Sequence, residues 1–509
     1  MSRASPLPFS FPAARASRRA AAVLCCALLS ACAVGPDYQR PAMDLGDAYK
    51  EAQSQEGWKP AQPRDAAERG AWWRVYGDAT LDGLMGQLNT ANQSIAQAEA
   101  NYRQAQALVQ GARAGFFPTV GTDAGVTRAG GGSTATSSGV ANQYSLSGTA
   151  SWELDLWGRV RRDVEASRAE AQASLGDLAN ARLSAQSALA QDYFQLRILD
   201  EQKRLLESTV QAYERSLQMT QNRYQAGVAG RGDVSVAQAQ LESARAQLID
   251  LEWQRGQFEH AIAVLVGLAP SRFALPPQAF AQAVPQIPAG VPSELLERRP
   301  DVASAERRAA SANAQIGVAQ AAWFPDLVLS ANGGFRSGEF AQWLTAPARF
   351  WSLGPALALT LFDGGARQAQ LDQARAAYDA QAALYRQTVL GALREVEDYL
   401  IQLRVLEHEQ VVQRRALEAT RESLRLARNQ YQAGLIGYLD VAVLETSALT
   451  SERSAITLVG SRLTASVQLI AALGGGWQGL EAERAEAQGD AAAGSTGSVD
   501  AAAGSASGS

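Results

Sequence analysis

The side chains able to do covalent or acid–base chemistry are few. Among 509 residues there are three cysteines, Cys25, Cys26 and Cys32, and two histidines, His260 and His408. Each histidine stands alone in a long helical pattern, where a single imidazole is a surface or packing residue rather than a general base. No Ser/His/Asp set, HExxH helix, phosphate-binding loop or GxGxxG turn after a strand occurs. The sequence therefore argues against an enzyme, and no cofactor or metal is expected. Two kinds of chemistry remain. Cys32 offers a thiol for covalent attachment, and Asp233 and Asp440, each just past a glycine, offer carboxylates at equivalent points of a duplicated chain. With 51 acids against 46 Lys and Arg, and a net charge of −5, nothing favours nucleic-acid binding.

The first 31 residues read as a secretory signal. Arg3, Arg15, Arg18 and Arg19 precede an apolar run over 20–29, too short to span a membrane as a mature helix. Leu29-Ser30-Ala31-Cys32 then resembles the bacterial lipoprotein box, in which the thiol takes a diacylglycerol and the cysteine becomes the first residue. Ordinary signal cleavage nearby, with Cys32 incidental, is the alternative. Losing the segment removes four cations, leaving a net charge of −9, and takes Cys25 and Cys26 with it. The mature chain then has one cysteine, so no disulfide and no cysteine metal site can form.

The elements that must position the aspartates are set by an internal repeat. Asn222-Arg-Tyr-Gln-Ala-Gly227 returns as Asn429-Gln-Tyr-Gln-Ala-Gly434, Ala112-Arg-Ala-Gly-Phe-Phe-Pro118 as Ala319-Gln-Ala-Ala-Trp-Phe-Pro325, and Asp233-Val234 as Asp440-Val441. Every pair is 207 positions apart. A period that long exceeds the roughly 20 to 50 residues of a solenoid unit, so it predicts a duplicated domain. The expected organisation is a signal peptide at 1–31, an extended tether at 32–71, a first repeat at 72–268, a Pro-rich linker at 269–294, a second repeat at 295–477 and a disordered tail at 478–509.

Each repeat begins with a helix, expected over 72–114 in the first, which ends at Phe117-Pro118. Two-residue alternation follows. Tyr144, Leu146, Ala150, Trp152, Leu154 and Leu156 alternate with Gln143, Ser145, Ser147, Thr149, Ser151, Glu153 and Asp155. Val120, Ala124 and Val126 do the same against Thr119, Asp123 and Thr127, across a polar glycine-rich loop at 128–139. In the second half Leu327, Leu329 and Ala331, then Leu353, Leu357, Leu359 and Leu361, repeat the pair. Such alternation means strands with one apolar and one polar face. They could be hairpins on a soluble core, or membrane strands with the apolar face in lipid. The secretion signal, the anchor motif and the lack of another sheet to pack against favour the membrane. Four strands cannot close a barrel, for which about eight is the minimum. Open edges in lipid would strand backbone groups at several kcal/mol each, so the barrel must be shared between chains.

After Gly158 and Gly365, helical patterns without proline run to Gly227 and Gly434, some 68 residues and so roughly 100 Å. Leu196, Leu199, Lys203, Leu206, Val210, Tyr213, Leu217, Thr220 and Tyr224 follow a 3-4 spacing, a coiled-coil seam. The glycines end these helices, and Asp233 and Asp440 are suited to cap the returning ones, each about 50 Å long.

Taken with Cys32-Ala-Val-Gly-Pro-Asp-Tyr38, Trp72-Trp73, Glu297-Arg-Arg-Pro-Asp301, Leu361-Phe-Asp-Gly-Gly365 and the two Tyr-Gln-Ala-Gly turns, these features carry a resemblance to a known family. The chain resembles the outer membrane factor family of TolC-like exit ducts, and more closely its lipoprotein branch in RND-type multidrug efflux. The resemblance implies a mostly α fold with a membrane β-barrel: a homotrimer whose 12-stranded barrel, four strands per chain, continues into a long α-helical coiled-coil tunnel across the periplasm. It also implies lipid anchoring in the outer membrane through Cys32, docking of a periplasmic adaptor and inner-membrane RND-type pump at the tip formed by Gly227, Val228, Gly434 and Leu435, and passage of small molecules without chemistry. The periplasmic gate would involve Asp233, Tyr431 and Asp440, with Tyr431 a suitable hydrogen-bond donor to a ring of carboxylates. Where some members carry an Arg two residues after the turn glycine and a second Asp three after the first, this chain has Ile436 and Val443, so the full salt-bridge network is not available to it. An exit duct for type I protein secretion is the alternative within the class, and a periplasmic coiled-coil scaffold the alternative outside it. The scaffold would have no need of the four alternating strands.

Overall fold

A computed structural model describes residues 33–43, 50–52, 71–130, 140–280, 284–285 and 299–475. Cys32 and the signal segment, much of the linker, most of the 128–139 loop and the tail from 476 onward lie outside the described residues.

A 3-10 turn at Trp72–Tyr76 leads into α1 (Ala79–Ala91), whose N-cap Asp78 accepts from the backbone of Thr80 and Leu81. The single helix expected over 72–114 is thus divided, and divided again at Asn92. Its side-chain oxygen accepts from Ser94 and Ile95 N–H at 2.9 and 3.0 Å, capping a new helix, α2 (Gln93–Ala114). There follow β1 (Thr119–Gly130), β2 (Val140–Glu153), α3 (Arg159–Gln225), α4 (Arg231–Leu265), α5 (Pro300–Ala321), β3 (Asp326–Ser337), β4 (Arg349–Ala358), α6 (Ala366–Gln432) and α7 (Tyr438–Ala472). The pairs α2 and α5, β1 and β3, α3 and α6, and α4 and α7 are offset by 207 residues at both ends. The repeat in sequence is therefore a repeat in structure, without slippage.

The four strands form one antiparallel sheet in the order β1-β2-β3-β4. Its register sorts the side chains as the alternation predicts. Val120, Ala150, Ala331 and Leu353 lie across one row, and Ala124, Leu146 and Phe335 across another on the same face, which ends on Arg349 at the first residue of β4. The opposite face carries Asp123, Ser147 and Gly334, and Thr149, Asn332 and Ser352. Strands β2 and β4 end earlier than Leu156 and Leu361. Asp155 turns the chain by accepting from Val160 and Arg161 N–H at 3.0 Å each, and Asp363 does so from Gly365 and Arg367 at 2.9 and 3.2 Å. Together with the Arg367 guanidinium, these bonds hold the Asp363 carboxyl down at about 2. The Leu-Phe-Asp-Gly-Gly sequence is thus a strand-to-helix cap.

Contacts divide the chain into two compact units. The first comprises the described residues of Met1–Pro41, with Arg103–Ala173 and Ala305–Tyr385. It holds the sheet and the flanking helix segments, whose small side chains Ala105, Val109 and Ala171 pack closely. Residues 33–41, expected as part of an extended tether, are bonded along this unit. The second comprises the described residues of Ala42–Tyr102, Ser174–Ser304 and Arg386–Ser509. Its main core gathers Trp72, Trp73, Tyr76, Leu81, Met85, Phe194, Leu463 and Val467, among others. Fully burying side chains of this size stabilises by about 1.5 to 3 kcal/mol each. Helix α7 is apolar enough to cross a membrane by composition, but Leu463, Val467 and Leu469 on it are fully buried against protein.

Candidate functional site at the helical turns

The two long helices end in the same way. Gly227 and Gly434 adopt φ of 76° and 74°, the left-handed region that a side chain opposes and glycine does not. Each glycine N–H reaches back to the carbonyl of Tyr224 or Tyr431, and the next residue, Val228 or Leu435, donates to Arg223 or Gln430 at 2.9 Å. This double ending satisfies carbonyls the helix leaves unpaired. It also presents two apolar side chains to solvent, Val228 at 66% and Leu435 at 75% exposure.

The returning helices start earlier than the aspartates. Their N-caps are Gly230 and Gly437, in extended backbone, so Asp233 and Asp440 occupy the third helical position instead. Asp233 still closes its turn by accepting the Gly230 N–H at 3.2 Å. Asp440 is exposed and makes no side-chain hydrogen bond among the described residues. A carboxylate in the first turn of a helix gains about 0.3 to 1 kcal/mol from the helix dipole.

Tyr431 is not aimed at either carboxylate within the chain. It is buried, and its hydroxyl lies 3.3 Å from Thr220 Oγ1. Arg223 stacks on its ring at 4.5 Å and donates to its carbonyl at 2.8 Å. Tyr438 meets the ring edge-on at 5.6 Å, and Ala237, Val441 and Ala442 complete the cluster. Within one chain the ring packs against the apolar stripe of α7. Its repeat equivalent, Tyr224, is 46% exposed. The two halves therefore share a backbone but not a core.

Sequence reasoning missed the polar group beneath this cluster. Glu445, whose side chain is 1% exposed, receives Arg428 Nε and Nη2 at 3.2 and 2.9 Å. Tyr438 Oη lies 3.0 Å from Gln240 Oε1 and 3.4 Å from Glu445 Oε2, while Gln240 Nε2 donates to the Ala442 carbonyl at 2.7 Å. Burial, and then the Glu445 charge, push the Tyr438 hydroxyl far above the usual phenol range and Tyr213 up to about 12. The buried carboxylate thereby ties α6 to α7, and Gln240 ties α4 to α7 through Tyr438 and Ala442. A signal was present: Tyr438, Val441, Ala442, Glu445 and Ala448 follow helical spacing, and Glu445 is the one charge in that buried stripe.

The chain has extensive relatives. The profile for "Outer membrane efflux protein" matches residues 84–268 and 291–475. The probable efflux pump outer membrane protein TtgC of Pseudomonas putida is 30% identical over 457 residues, covering 88% of this chain and 94% of that protein. The pyoverdine export outer membrane protein OpmQ of Pseudomonas aeruginosa is 32% identical over 462 residues, covering 89% and 96%. Among solved structures, the outer-membrane channel OprN superposes with a TM-score of 0.80 at 32% identity, over 88% of this chain and all of that one. The open state of the MtrE channel of Neisseria gonorrhoeae gives 0.76 at 29%, over 87% and 98%. With the four-stranded sheet, the paired long helices and the profile matching both halves, the chain belongs to the outer membrane efflux protein family.

Proposed function

We propose that three copies of this chain form an outer membrane exit duct that passes small molecules outward from an inner-membrane RND-type pump and a periplasmic adaptor. The observation that carries this reading is the sheet. It has a mainly apolar and a mainly polar face, with Arg349 and Phe350 exchanged at the start of β4, and open edges at β1 and β4. Such a sheet is stable in lipid only when closed by further strands, since unpaired edge groups there cost several kcal/mol each. Three copies supply twelve strands, enough to enclose water behind the polar face. The duct does no chemistry, and the pump supplies the energy.

Acylation of Cys32 would add a second hold on the outer membrane, consistent with the lipoprotein-box resemblance. The paired turns offer Val228 and Leu435 to the adaptor, with Gly227 and Gly434 setting their backbone. Asp233 and Asp440 from three chains would place six carboxylates about one axis, a ring that attracts cations and repels anions. Tyr431 would support this gate from behind, as a packed wedge.

Two measurements on the same preparation test the reading. Purified protein in a planar bilayer should form cation-preferring channels. Val228→Asp with Leu435→Asp should abolish cross-linking to the adaptor and drug export while leaving those channels intact. A protein that binds the adaptor but never conducts would fit a scaffold and not a duct.

A further inference from the structure

The segment after Cys32 is held by a dedicated receptor on the wall. Val34 N–H donates to the Trp157 carbonyl at 3.0 Å, and Trp157 is itself fixed by an indole bond to Pro325 and by stacking on Phe324 at 4.8 Å. Arg162, only 5% exposed, donates to the carbonyls of Val34 and Gly35 at 3.3 and 3.2 Å and to the Asp37 carboxylate at 2.9 Å. Asn313 on α5 donates to the Pro36 carbonyl at 2.9 Å, and Tyr38 donates to Glu306 at 3.1 Å. The fit is close. A methyl on Gly35, where φ is 109°, would lie 2.5 Å from the Gly317 Cα, and one on Gly317 would lie 2.8 Å from Arg162 Cγ.

Glu165 on the same helix holds the other end of this buried guanidinium at 2.8 Å, leaving its remaining donors for two main-chain carbonyls and one carboxylate of the segment, and such charge-assisted bonds are the stronger kind. From these contacts we infer that Arg162 is a positioning residue for the mature N-terminus. It clamps Ala33–Tyr38 as a strap across α3 and α5, so that whatever precedes Ala33 leaves the wall beside Gly158, just past the end of β2. The strap stands on its own geometry. Its consequence rests on acylation of Cys32: the lipid is delivered to one fixed place at the base of the chain's own strands, where a free tether would let it insert anywhere within reach. The acyl chain and the barrel then enter the same leaflet as one body.

Hydrogen exchange of the 33–40 peptide in the full-length protein in detergent tests this, alongside mass measurement of Cys32. The wild type should show slow exchange at Val34, and Cys32→Ser should show the same, because the clamp does not need the lipid. Arg162→Ala should speed that exchange by about tenfold or more, the loss expected for charge-assisted bonds, and Arg162→Lys should recover only part, having no planar fork. Gly35→Ala, which alters the strap and leaves the wall intact, should do likewise, so a folding defect in Arg162→Ala cannot hide the result. Fast exchange at Val34 in the wild type, or unchanged exchange in both Arg162→Ala and Gly35→Ala, overturns the clamp. An unmodified Cys32 with a protected Val34 overturns the anchor reading and leaves the clamp standing.

Discussion

The buried pair under the turns makes an asymmetric prediction. Its two members differ in exposure, 1% for the Glu445 side chain and 45% for Arg428. Removing Arg428 strands a carboxylate in the protein interior, for which one-sided loss of a buried pair costs about 3 to 5 kcal/mol. Tyr438 cannot make up the difference. Its hydroxyl has one proton and is closer to Gln240, at 3.0 Å, than to Glu445, at 3.4 Å. Removing the Glu445 charge is milder, because Arg428 can turn to water and a glutamine keeps an oxygen for Tyr438, leaving a loss of about 1 kcal/mol. Converted at about 1.4 kcal/mol per decade, Arg428→Met should speed hydrogen exchange across 438–448 by about two to three and a half decades, and Glu445→Gln by less than about one. The double variant should fall near Glu445→Gln alone, since the stranded charge is gone. Equal effects of the two single variants, or a larger effect of Glu445→Gln, would refute the burial argument.

Further outcomes follow from the faces and charges described above. Leu146→Arg, in a row with Ala124 and Phe335, should cost about 2 to 4 kcal/mol if that face meets the lipid midplane, whereas Ser147→Arg, beside Asp123, should be tolerated; matching trimer yields from both would reverse the faces. Burial raises the Asp192 carboxyl from 3.8 to about 6. Because the folded value is the higher one, the contribution of this group is full below about pH 4 and is lost as pH rises through about 6. Asp192→Asn should therefore raise the melting temperature at pH 7.5 and leave it unchanged at pH 4, and an equal gain at both would exclude titration as the cause. Asp440→Ala should weaken cation preference in single-channel recordings, while unchanged selectivity with lower thermal stability would reduce Asp440 to a helix-dipole residue.

The architecture was legible wherever a periodic pattern ran long. A constant offset of 207 fixed the pairing of elements, and two-residue alternation fixed the sheet faces before any register was known. Local polar caps were harder to read. Asn92 breaks a helix that its apolar spacing would continue, and Gly230 and Gly437 take the N-cap positions for which Asp233 and Asp440 have the better side chains. Backbone geometry decides these, and a glycine N-cap leaves little trace in sequence. Tyr431 shows a different limit. Its place one turn before Gly434 was plain, but whether its ring turned toward the carboxylates or the core depended on Thr220, Arg223 and Tyr438, which come from elsewhere in the chain. The strap at Arg162 was invisible for the same reason, since its partners are main-chain carbonyls more than a hundred residues away.

If one chain supplies a third of a closed barrel, native mass spectrometry of the protein extracted from outer membranes in mild detergent should find it only in threes. Three copies, dissociating to single chains only when the sheet is denatured, is the predicted result. A folded, stable monomer would mean that the open edges of β1 and β4 are tolerated in a lipid-like environment, and that would contradict the account.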